Sequence, residues 1–460
     1  MSPTSQMWRR ALLRVQIVQR AIFLRMTTTE VSLCSAILED LFGSIVAKVG
    51  SVFFLILSPE GTFGYSEDYL LNEAHHPFAA LLFFFLIKRS LVIMEQHGVV
   101  NFALDNLNIV YSIKVENVFR LARTARCLLI TKTLFGEIAE AICDEIVSKG
   151  RLSCSQCLQQ VLTQKVDVSA GDRKILWRLN YARYERYMRD EMVIDLYRTN
   201  DLLDQHCLKT VHALIKVGEQ RISHTHLSSF AIHEIVRSPA AKEMKLSLNQ
   251  IETTLKLLST DRHNVIRKMG DSSGGLYAID YEKALTIQCI QRIQSAIREK
   301  LGKNSVRIFN LLFQKGYLSE DQIEKMAMLT TKEARSCCYD LMRFKFILKR
   351  HMARGNDFSN SRAIYLYHVD LPDVVHLLTL IDRHLKMETI ISNIESDPNL
   401  DAETKETQVA EVQEVFITSA DRNKLAKYHS RQNGFYAAEV KLEKDMLLFS
   451  QFLKLSHKKR

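Results

Sequence analysis

Apolar residues recur every three to four positions along several stretches of this 460-residue chain, which predicts a mainly helical protein. Four of these stretches end in a Lys that is followed within two residues by Gly50, Gly150, Gly218 or Gly316. Gly readily adopts the left-handed conformation that closes a helix, and a terminal Lys complements the helix dipole. We therefore expect a helix to end at each of these four glycines.

Three of the glycines precede a very short extended step that ends in Ser: Arg151-Leu152-Ser153, Arg221-Ile222-Ser223 and Tyr317-Leu318-Ser319. Gln322 follows Ser319 at the spacing of a capping box, which starts a helix. The repeated order is therefore a helix, a short strand and a second helix.

The repeat is most complete in residues 305–370. Thr330 and Glu333 have capping-box spacing and predict a third helix that continues to Phe344. A hairpin is predicted after this helix. Its strands, 347–350 and 363–369, are rich in β-branched and aromatic residues, and the polar loop 355–360 lies between them. Three helices followed by a two-stranded hairpin form a winged helix.

Residues 202–280 repeat this order, with Ser247 and Gln250 at the start of the third helix. Strands are predicted at 264–269 and 276–280, on either side of a glycine-rich turn. Glycines supply the positive φ angles of a tight hairpin tip. A phosphate-binding loop is the alternative, but neither a Lys-Ser/Thr pair nor a helix start follows. The residues assigned to the wing turn are Gly270, Asp271, Gly274 and Gly275.

The N-terminal third of the chain contains two less regular copies. The predicted elements of the first are a helix at 31–49, a third helix across 78–88 and a hairpin turning at 96–98, and its segment 53–76 fits no part of a winged helix. The second is predicted to have helices at 134–149 and 154–164, but no third helix or wing before Trp177, so we interpret it as truncated.

Beyond Pro372 the pattern changes to long helices. Leu377, Ile381 and Leu385 begin one helix, which a polar break ends at 396–399. Apolar residues then recur every seven positions, which keeps them on one seam: Tyr428, Phe435, Leu442 and Phe449. This spacing predicts an antiparallel helical hairpin or coiled coil, and a helix packed along a neighbouring domain is the alternative.

The predicted fold is mainly α with small β wings, in the form of tandem winged-helix domains and a C-terminal helical hairpin or coiled coil. The expected divisions are an extension or targeting-like segment at 1–26, a first winged helix at 27–126 with the atypical insert 53–76, a truncated second at 127–176, a third at 177–290, a fourth at 291–373 and a C-terminal coiled coil at 374–460.

Composition agrees with a chain that is folded over most of its length. Hydrophobic residues make up 47% and charged residues 25%, and there are only 16 Gly and 6 Pro. The longest apolar run, 78–87, is too short to cross a bilayer. The nine cysteines are odd in number and scattered, which favours reduced thiols in the cytosol or nucleus.

The net charge of +10 points towards nucleic acid, but five arginines precede the first acidic residue, Glu30. This Arg-rich leading segment has the composition of a transit peptide. We favour an upstream extension of the reading frame instead, with Met26 as the working start.

No set of residues supports catalysis or metal binding. Cys154 and Cys157 have zinc-like spacing without a second ligand pair, and His224, His226 and His233 have no matching carboxylate or Cys. Serine-hydrolase, Walker, polymerase-type paired-Asp and zincin motifs are missing from the sequence. We therefore predict no catalytic residue, no metal and no cofactor.

Binding is the remaining function, because a winged helix can place its third helix in the major groove of DNA while cations of the wing contact phosphates. The candidate DNA contacts are Arg262, Arg267, Lys268, Lys349, Arg350, Arg354 and Arg362. Solvated wing residues, or a wing that docks protein, are an equal alternative. Glu333 and Asp340 interrupt the cations of the third helix at 331–344, so we do not expect this chain alone to select a DNA sequence.

Residues 269–279 resemble the third wing of the tandem-winged-helix subunit of RNA polymerase III, the subunit C3 family, which belongs to a detachable heterotrimer used in initiation. Further segments resemble the family at matching positions: 31–50, 131–150, 307–334 and 421–453. The likeness covers most of residues 30–455, and the chain departs from it in the insert 53–76 and in the truncated second module.

The resemblance implies a non-catalytic subunit that holds two smaller partners on the polymerase clamp, contacts DNA largely without sequence specificity, and helps to open promoters of small non-coding RNA genes. It implies a nuclear location, with the cytosol as a second one. The alternatives are a free-standing winged-helix transcription regulator, a helical scaffold subunit with a single winged helix, and an enzyme.

Overall fold

The computed structural model describes residues 28–56, 77–105, 108–157, 175–198, 205–220, 229–261, 263–271, 274–352, 364–394 and 419–457. Helices predominate, and the strands of this part form four small antiparallel sheets. The chain divides into two compact units, one of residues 1–184 with 383–443 and the other of residues 185–382 with 444–460. None of the helices within the described ranges combines the length and apolar composition needed to span a membrane.

The first unit begins with a helical module completed by a hairpin. Its elements are α1 (Thr28–Phe42), α2 (Ser44–Ile56), α3 (Pro77–Gln96), β1 (Val100–Asp105) and β2 (Asn108–Ile113). Leu33, Leu38, Phe54 and Met94 are fully buried between the helices. Residues 57–76, most of the predicted insert, lie outside the described residues, whereas 53–56 belong to α2.

The predicted hairpin turn at 96–98 is wrong. Gly98 has φ +70° and ends α3, where the Val99 amide donates to the Met94 carbonyl at 2.8 Å. The hairpin turns later, between Asp105 and Asn108. The left-handed glycine was assigned to a strand turn, but here the same conformation closes a helix.

Two of the four predicted helix ends are also wrong. Gly50 lies inside α2, and Gly43, with φ +85°, separates α1 from α2 instead. A Cβ atom at Gly50 would lie 2.6 Å from Leu38 Cδ1, so this glycine allows close packing of α1 on α2. Gly218 lies inside a helix that continues to Gln220, with the Phe230 ring 3.4 Å from its Cβ position. Gly150 and Gly316 end helices with φ +79° and +83°, as predicted.

The second module follows in the same unit. Its elements are α4 (Val115–Leu121), α5 (Thr124–Phe135), α6 (Glu137–Lys149), β3 (Leu152–Ser153) and β4 (Leu176–Trp177). Gly136, with φ +88°, separates α5 from α6 within the stretch predicted as one helix. β4 pairs with β3 through Leu152 and Trp177, so a strand that the sequence did not predict occupies the position of a closing wing strand. Residues 158–174 lie outside the described residues, and the truncation therefore stays a prediction.

The second unit contains a complete winged helix. Its elements are α7 (Tyr181–Arg198, shared with the first unit), α8 (Gln205–Gln220), β5 (Ser229–Ala231), α9 (Ile232–Arg237), α10 (Pro239–Glu243), α11 (Leu248–Thr260), β6 (Ile266–Gly270) and β7 (Leu276–Ile279). The strand order is β5-β7-β6. Leu214, Ile235, Leu255 and Tyr277 lie in one core. The predicted capping box of Ser247 and Gln250 is confirmed.

A second complete winged helix follows in this unit. Its elements are α12 (Tyr281–Leu301), α13 (Lys303–Lys315), β8 (Leu318–Ser319), α14 (Glu320–Ala327), α15 (Thr331–Arg343), β9 (Leu348–Met352) and β10 (Ile364–His368). The sheet order, β8-β10-β9, matches that of the preceding module. The capping boxes predicted at Ser319 and Thr330 are confirmed, as is the hairpin of β9 and β10.

Two long helices, α16 (Leu371–Ile394) and α17 (Ser419–His457), complete the chain. In the first unit, fully buried Lys386 of α16 pairs with Glu443 of α17 and lies 3.5 Å from Glu439. Burial raises the pKa of Glu443, and the Lys386 ammonium opposes that rise. Of the predicted seven-residue seam, Phe449 is buried and Leu442 half-buried, while the side chains of Tyr428 and Phe435 lie outside the described ones.

In the second unit, the Asp382 carboxyl of α16 is buried near Asp445 of α17 and Arg292 of α12. Its Oδ2 has no hydrogen-bond partner. Burial and, to a smaller extent, the Asp445 charge raise the pKa of Asp382 to about 7, although Arg292 acts in the opposite direction. Ionised Asp382 is therefore unfavourable at this position.

Substituting Gly150 by Ala should destabilise the first unit more than substituting Gly43. Both have positive φ, so each substitution costs about 1–2 kcal/mol of left-handed strain. A Cβ at Gly150 would also lie 2.6 Å from the Gln96 carbonyl oxygen, whereas nothing lies within 4 Å at Gly43. We expect a further loss of about 1 kcal/mol or more for Gly150→Ala. Thermal unfolding measures the difference, and equal losses would show that α6 does not end against Gln96.

Asp382→Asn should stabilise the chain near neutral pH. A carboxyl whose folded-state pKa is raised contributes stability only when protonated, and that contribution is lost as pH rises from about 4 towards 7. The amide removes this loss, which amounts to on the order of 2–4 kcal/mol above pH 7. Denaturant unfolding at pH 5 and pH 8 should show the gain mainly at pH 8. A gain that is the same at both values would contradict the assignment.

Candidate nucleic-acid interface

The cations of the third-module wing pair with acidic residues of their own module. Arg267 of β6 pairs with Asp280, whose Oδ1 also accepts a hydrogen bond from the Lys283 amide at 3.1 Å and so caps α12. Lys268 pairs with Asp271, which raises the pKa of Lys268 and lowers that of Asp271. Arg262 lies outside the described residues. These contacts give Arg267 a structural role and reduce the charge that Lys268 offers to a ligand.

The wing turn places glycine where the backbone requires it. Gly274 and Gly275 have φ +85° and +118°, and a Cβ at Gly275 would lie 2.9 Å from the Tyr277 ring. Gly270 ends β6 beside an irregularity in the β6–β7 register, and Asp271 follows it. Residues 272 and 273 lie outside the described ones.

The cations of the fourth-module wing contact aromatic rings. Lys349 Nζ lies 3.9 Å from the centroid of the Tyr365 ring, and Arg350 Nη1 donates to the Tyr317 hydroxyl at 3.2 Å. The Tyr317 ring stacks on His368 with 4.8 Å between centroids. No acid pairs with Lys349 or Arg350 in the described part of the chain. Arg354 and Arg362 belong to 353–363, which lie outside it.

The two wings therefore differ in the charge they present. Every described candidate of the third module is neutralised locally, whereas Lys349 and Arg350 lie exposed on β9 and keep their charge free for a phosphate or a carboxylate. Sequence reasoning found these cations but missed Tyr317 and Tyr365, which hold them. Tyr365 lies within the predicted strand 363–369 and Tyr317 within the predicted extended step that ends at Ser319, but only the structure shows that they reach the cations.

The remaining candidates for chemistry are not brought together. Cys154 and Cys157 are free thiols, and burial raises the pKa of Cys157. His233 is exposed on α9, while His224 and His226 lie outside the described residues. Within the described ranges, no three His, Cys, Asp or Glu residues form a group that could hold a metal ion.

The fold and the exposed cationic wing define a tandem winged-helix protein. Residues 293–369 match the family model described as POLR3C, C-terminal winged-helix domain, and residues 144–287 match that of RNA polymerase III subunit RPC82. DNA-directed RNA polymerase III subunit RPC3 of Mus musculus is 22% identical over 554 residues, covering 95% of this chain and 100% of the relative. The Homo sapiens protein of that name is 21% identical with the same coverage. The Danio rerio protein is 23% identical, and the alignment covers 93% of this chain and 99% of the relative.

The two family models and the similarity over nearly the whole chain support the RNA polymerase III subunit C3 family. The resemblance stated from wing residues 269–279 is thereby confirmed, as is the fold class of mainly α structure with small β wings.

Replacing Arg350, Arg354 and Arg362 with Ala should weaken DNA binding by the assembled complex and flatten its salt dependence. The slope of log K against log salt is negative, and each lost phosphate contact reduces its magnitude by about 0.9. The loss of three contacts would therefore reduce the magnitude by about 2.7. Arg178, Arg183 and Arg186, which are exposed near the start of α7, provide a control with the same loss of charge. An unchanged slope in the wing variant, with the fold intact, would assign the wing to protein contacts.

Proposed function

We propose that this chain is a non-catalytic subunit of DNA-directed RNA polymerase III that acts in promoter opening and initiation at small non-coding RNA genes. The observation that carries the proposal is the extent of similarity. The aligned region covers 95% of the chain and the whole length of the mammalian RPC3 proteins, and the two family models fall on consecutive segments. A free-standing regulator that shared only one winged helix would not give this coverage.

A non-catalytic role is supported by the sequence itself. The paired-Asp motif of polymerase metal sites, the Walker loop and the hydrolase motifs are missing from it. Its polar residues instead form helix caps and ion pairs, such as the Asp280 cap of α12 and the pairing of Lys386 with Glu443. In this proposal catalysis belongs to other subunits of the polymerase.

We propose that the partners are other subunits of RNA polymerase III, above all the two smaller members of the initiation heterotrimer and the clamp, and that the complex works in the nucleus. The similar proteins from mouse and human are themselves RNA polymerase III subunits, which supports membership of that polymerase. The domain boundaries given above, the winged helices at 27–126, 127–176, 177–290 and 291–373 and the coiled coil at 374–460, are part of the same proposal.

The proposed DNA contact is mainly electrostatic. Lys349 and Arg350 are the described wing cations without an acidic partner, and Arg354 and Arg362 belong to the same wing. Phosphate contacts of this type fix position and add affinity but do not distinguish base pairs. The chain would then stabilise DNA that the polymerase positions.

Affinity purification of the tagged chain from its own cells tests the proposal. We expect the two largest polymerase III subunits and the two small heterotrimer subunits to co-purify in stoichiometric amounts. The same tag on an unrelated nuclear winged-helix protein is the control.

If the chain purified alone and bound one DNA sequence selectively at physiological salt, a free-standing regulator would replace the proposal. Recovery of proteasome-lid or translation-initiation subunits would favour the scaffold alternative.

A further inference from the structure

The second module has half as much chain between its paired strands as the two complete winged helices. In the third module 44 residues, 232–275, separate β5 from β7, and in the fourth 44 residues, 320–363, separate β8 from β10. Only 22 residues, 154–175, separate β3 from β4. The second helix, third helix and first wing strand of the fourth module have 8, 13 and 5 residues, so 22 residues cannot hold all three.

The aromatic residue of the closing strand is exposed in this short module. Trp177 lies opposite Leu152 of β3, as Tyr367 lies opposite Leu318 in the fourth module. Tyr367 is 8% exposed, whereas Trp177 is 58% exposed. Burial and the nearby Cys338 of α15 raise the pKa of Tyr367, so the third helix lies beside that ring. Trp177 lacks the cover that a third helix gives to its counterpart.

The first helix of the second module is also poorly covered. No residue of α6 is buried, whereas α13, its counterpart in the fourth module, buries five. When the two helices are aligned on the glycines that end them, Ile142 and Ile146 correspond to Ile308 and Leu312. The first pair is half-buried and the second pair is buried, because α15 packs on α13. We call Ile142, Ile146 and Trp177 the open face.

The helix that carries most of the open face is acidic. It has four acidic residues and one basic residue: Glu137, Glu140, Asp144, Glu145 and Lys149. Glu140 pairs with Lys132 at 2.8 Å, but Asp144 and Glu145 form no ion pair within the described part of the chain. Glu145 follows Ile142 by three positions and therefore lies on the same side of the helix. A ligand of the open face meets negative charge at its margin.

We infer that a basic amphipathic helix of another polymerase subunit docks on the open face and takes the place of the third helix. In the fourth module the single helix α15 both packs on α13 and lies beside Tyr367, so one helix can reach all three residues. Its apolar side chains would contact Ile142, Ile146 and Trp177, and its Lys or Arg residues the acids of α6. Nucleic acid is unsuitable, because its phosphates would meet those acids. The inference rests on the proposed function, which supplies the partner subunits.

Tryptophan fluorescence tests whether the open face is free and then covered. The chain has two tryptophans, Trp8 and Trp177, so Trp8→Phe leaves Trp177 as the single reporter. In the isolated full chain we expect emission typical of an exposed ring and ready quenching by acrylamide. The two smaller heterotrimer subunits, purified separately, are the probes. One of them should shift the emission to shorter wavelengths and protect the ring from quenching.

Calorimetry of the same subunit with variants of the full chain tests the contacts. Trp177→Ala should weaken binding about 30-fold, the scale of a truncated hot-spot tryptophan. The matched control is Tyr339→Ala on α15, because that ring is 62% exposed on a module with a closed core. It should leave the affinity unchanged. Asp144→Asn with Glu145→Gln should weaken binding at low salt and flatten its salt dependence.

Unchanged affinity of Trp177→Ala would overturn the inference, as would an unchanged salt dependence of the acid variant. Protection of Trp177 in the isolated chain at every concentration would show that the chain's own residues cover the open face. Protection that appears only at high chain concentration would assign the face to a second copy. Both results would also overturn the inference. If neither small subunit bound the wild-type chain, the proposed function would fail together with the inference, whereas the other outcomes remove the inference alone.

Discussion

The pairing of a very short strand with the last strand of the wing holds each complete winged helix together. In the third module Phe230 of β5 lies opposite Tyr277 of β7, and in the fourth Leu318 of β8 lies opposite Tyr367 of β10. Each pairing adds few hydrogen bonds, but it fixes the hairpin against the helices and buries an aromatic ring of the wing. The positions of the wing cations relative to the third helix therefore follow from this pairing.

Strand pairing joins residues that are distant in sequence, so the parts of the fold that could be predicted are those set by local contacts. Capping boxes are local, since Ser247 and Thr330 satisfy backbone groups three residues away, and the sequence therefore located the third helices. Glycine was ambiguous for a physical reason. Gly150 closes a helix by adopting positive φ, whereas Gly50 remains helical, and a Cβ there would force the buried Leu38 side chain to shift. A Lys-Gly pattern does not distinguish a requirement of the backbone from a requirement of packing.

In the candidate interface, too, local features could be predicted from the sequence and long-range contacts could not. Position in a wing predicted which cations would be exposed, and Lys349 and Arg350 are exposed. Whether a cation is free depends on partners far away in sequence. Asp280 comes thirteen residues after Arg267 and Tyr317 thirty-three residues before Arg350, and only the closed sheet brings them into contact.

The wings of the third and fourth modules thus hold their cations in different ways. Arg267 is held by the carboxylate that caps α12, so a phosphate could bind it only by competing with a contact that also orients the helix leading into the next module. Arg350 rests on a neutral tyrosine hydroxyl and keeps its charge. A cation–π or hydroxyl contact orders a side chain and leaves its charge in place. An ion pair orders the side chain and also neutralises its charge. It follows that counting wing cations overstates the positive charge that the third-module wing offers, relative to that of the fourth.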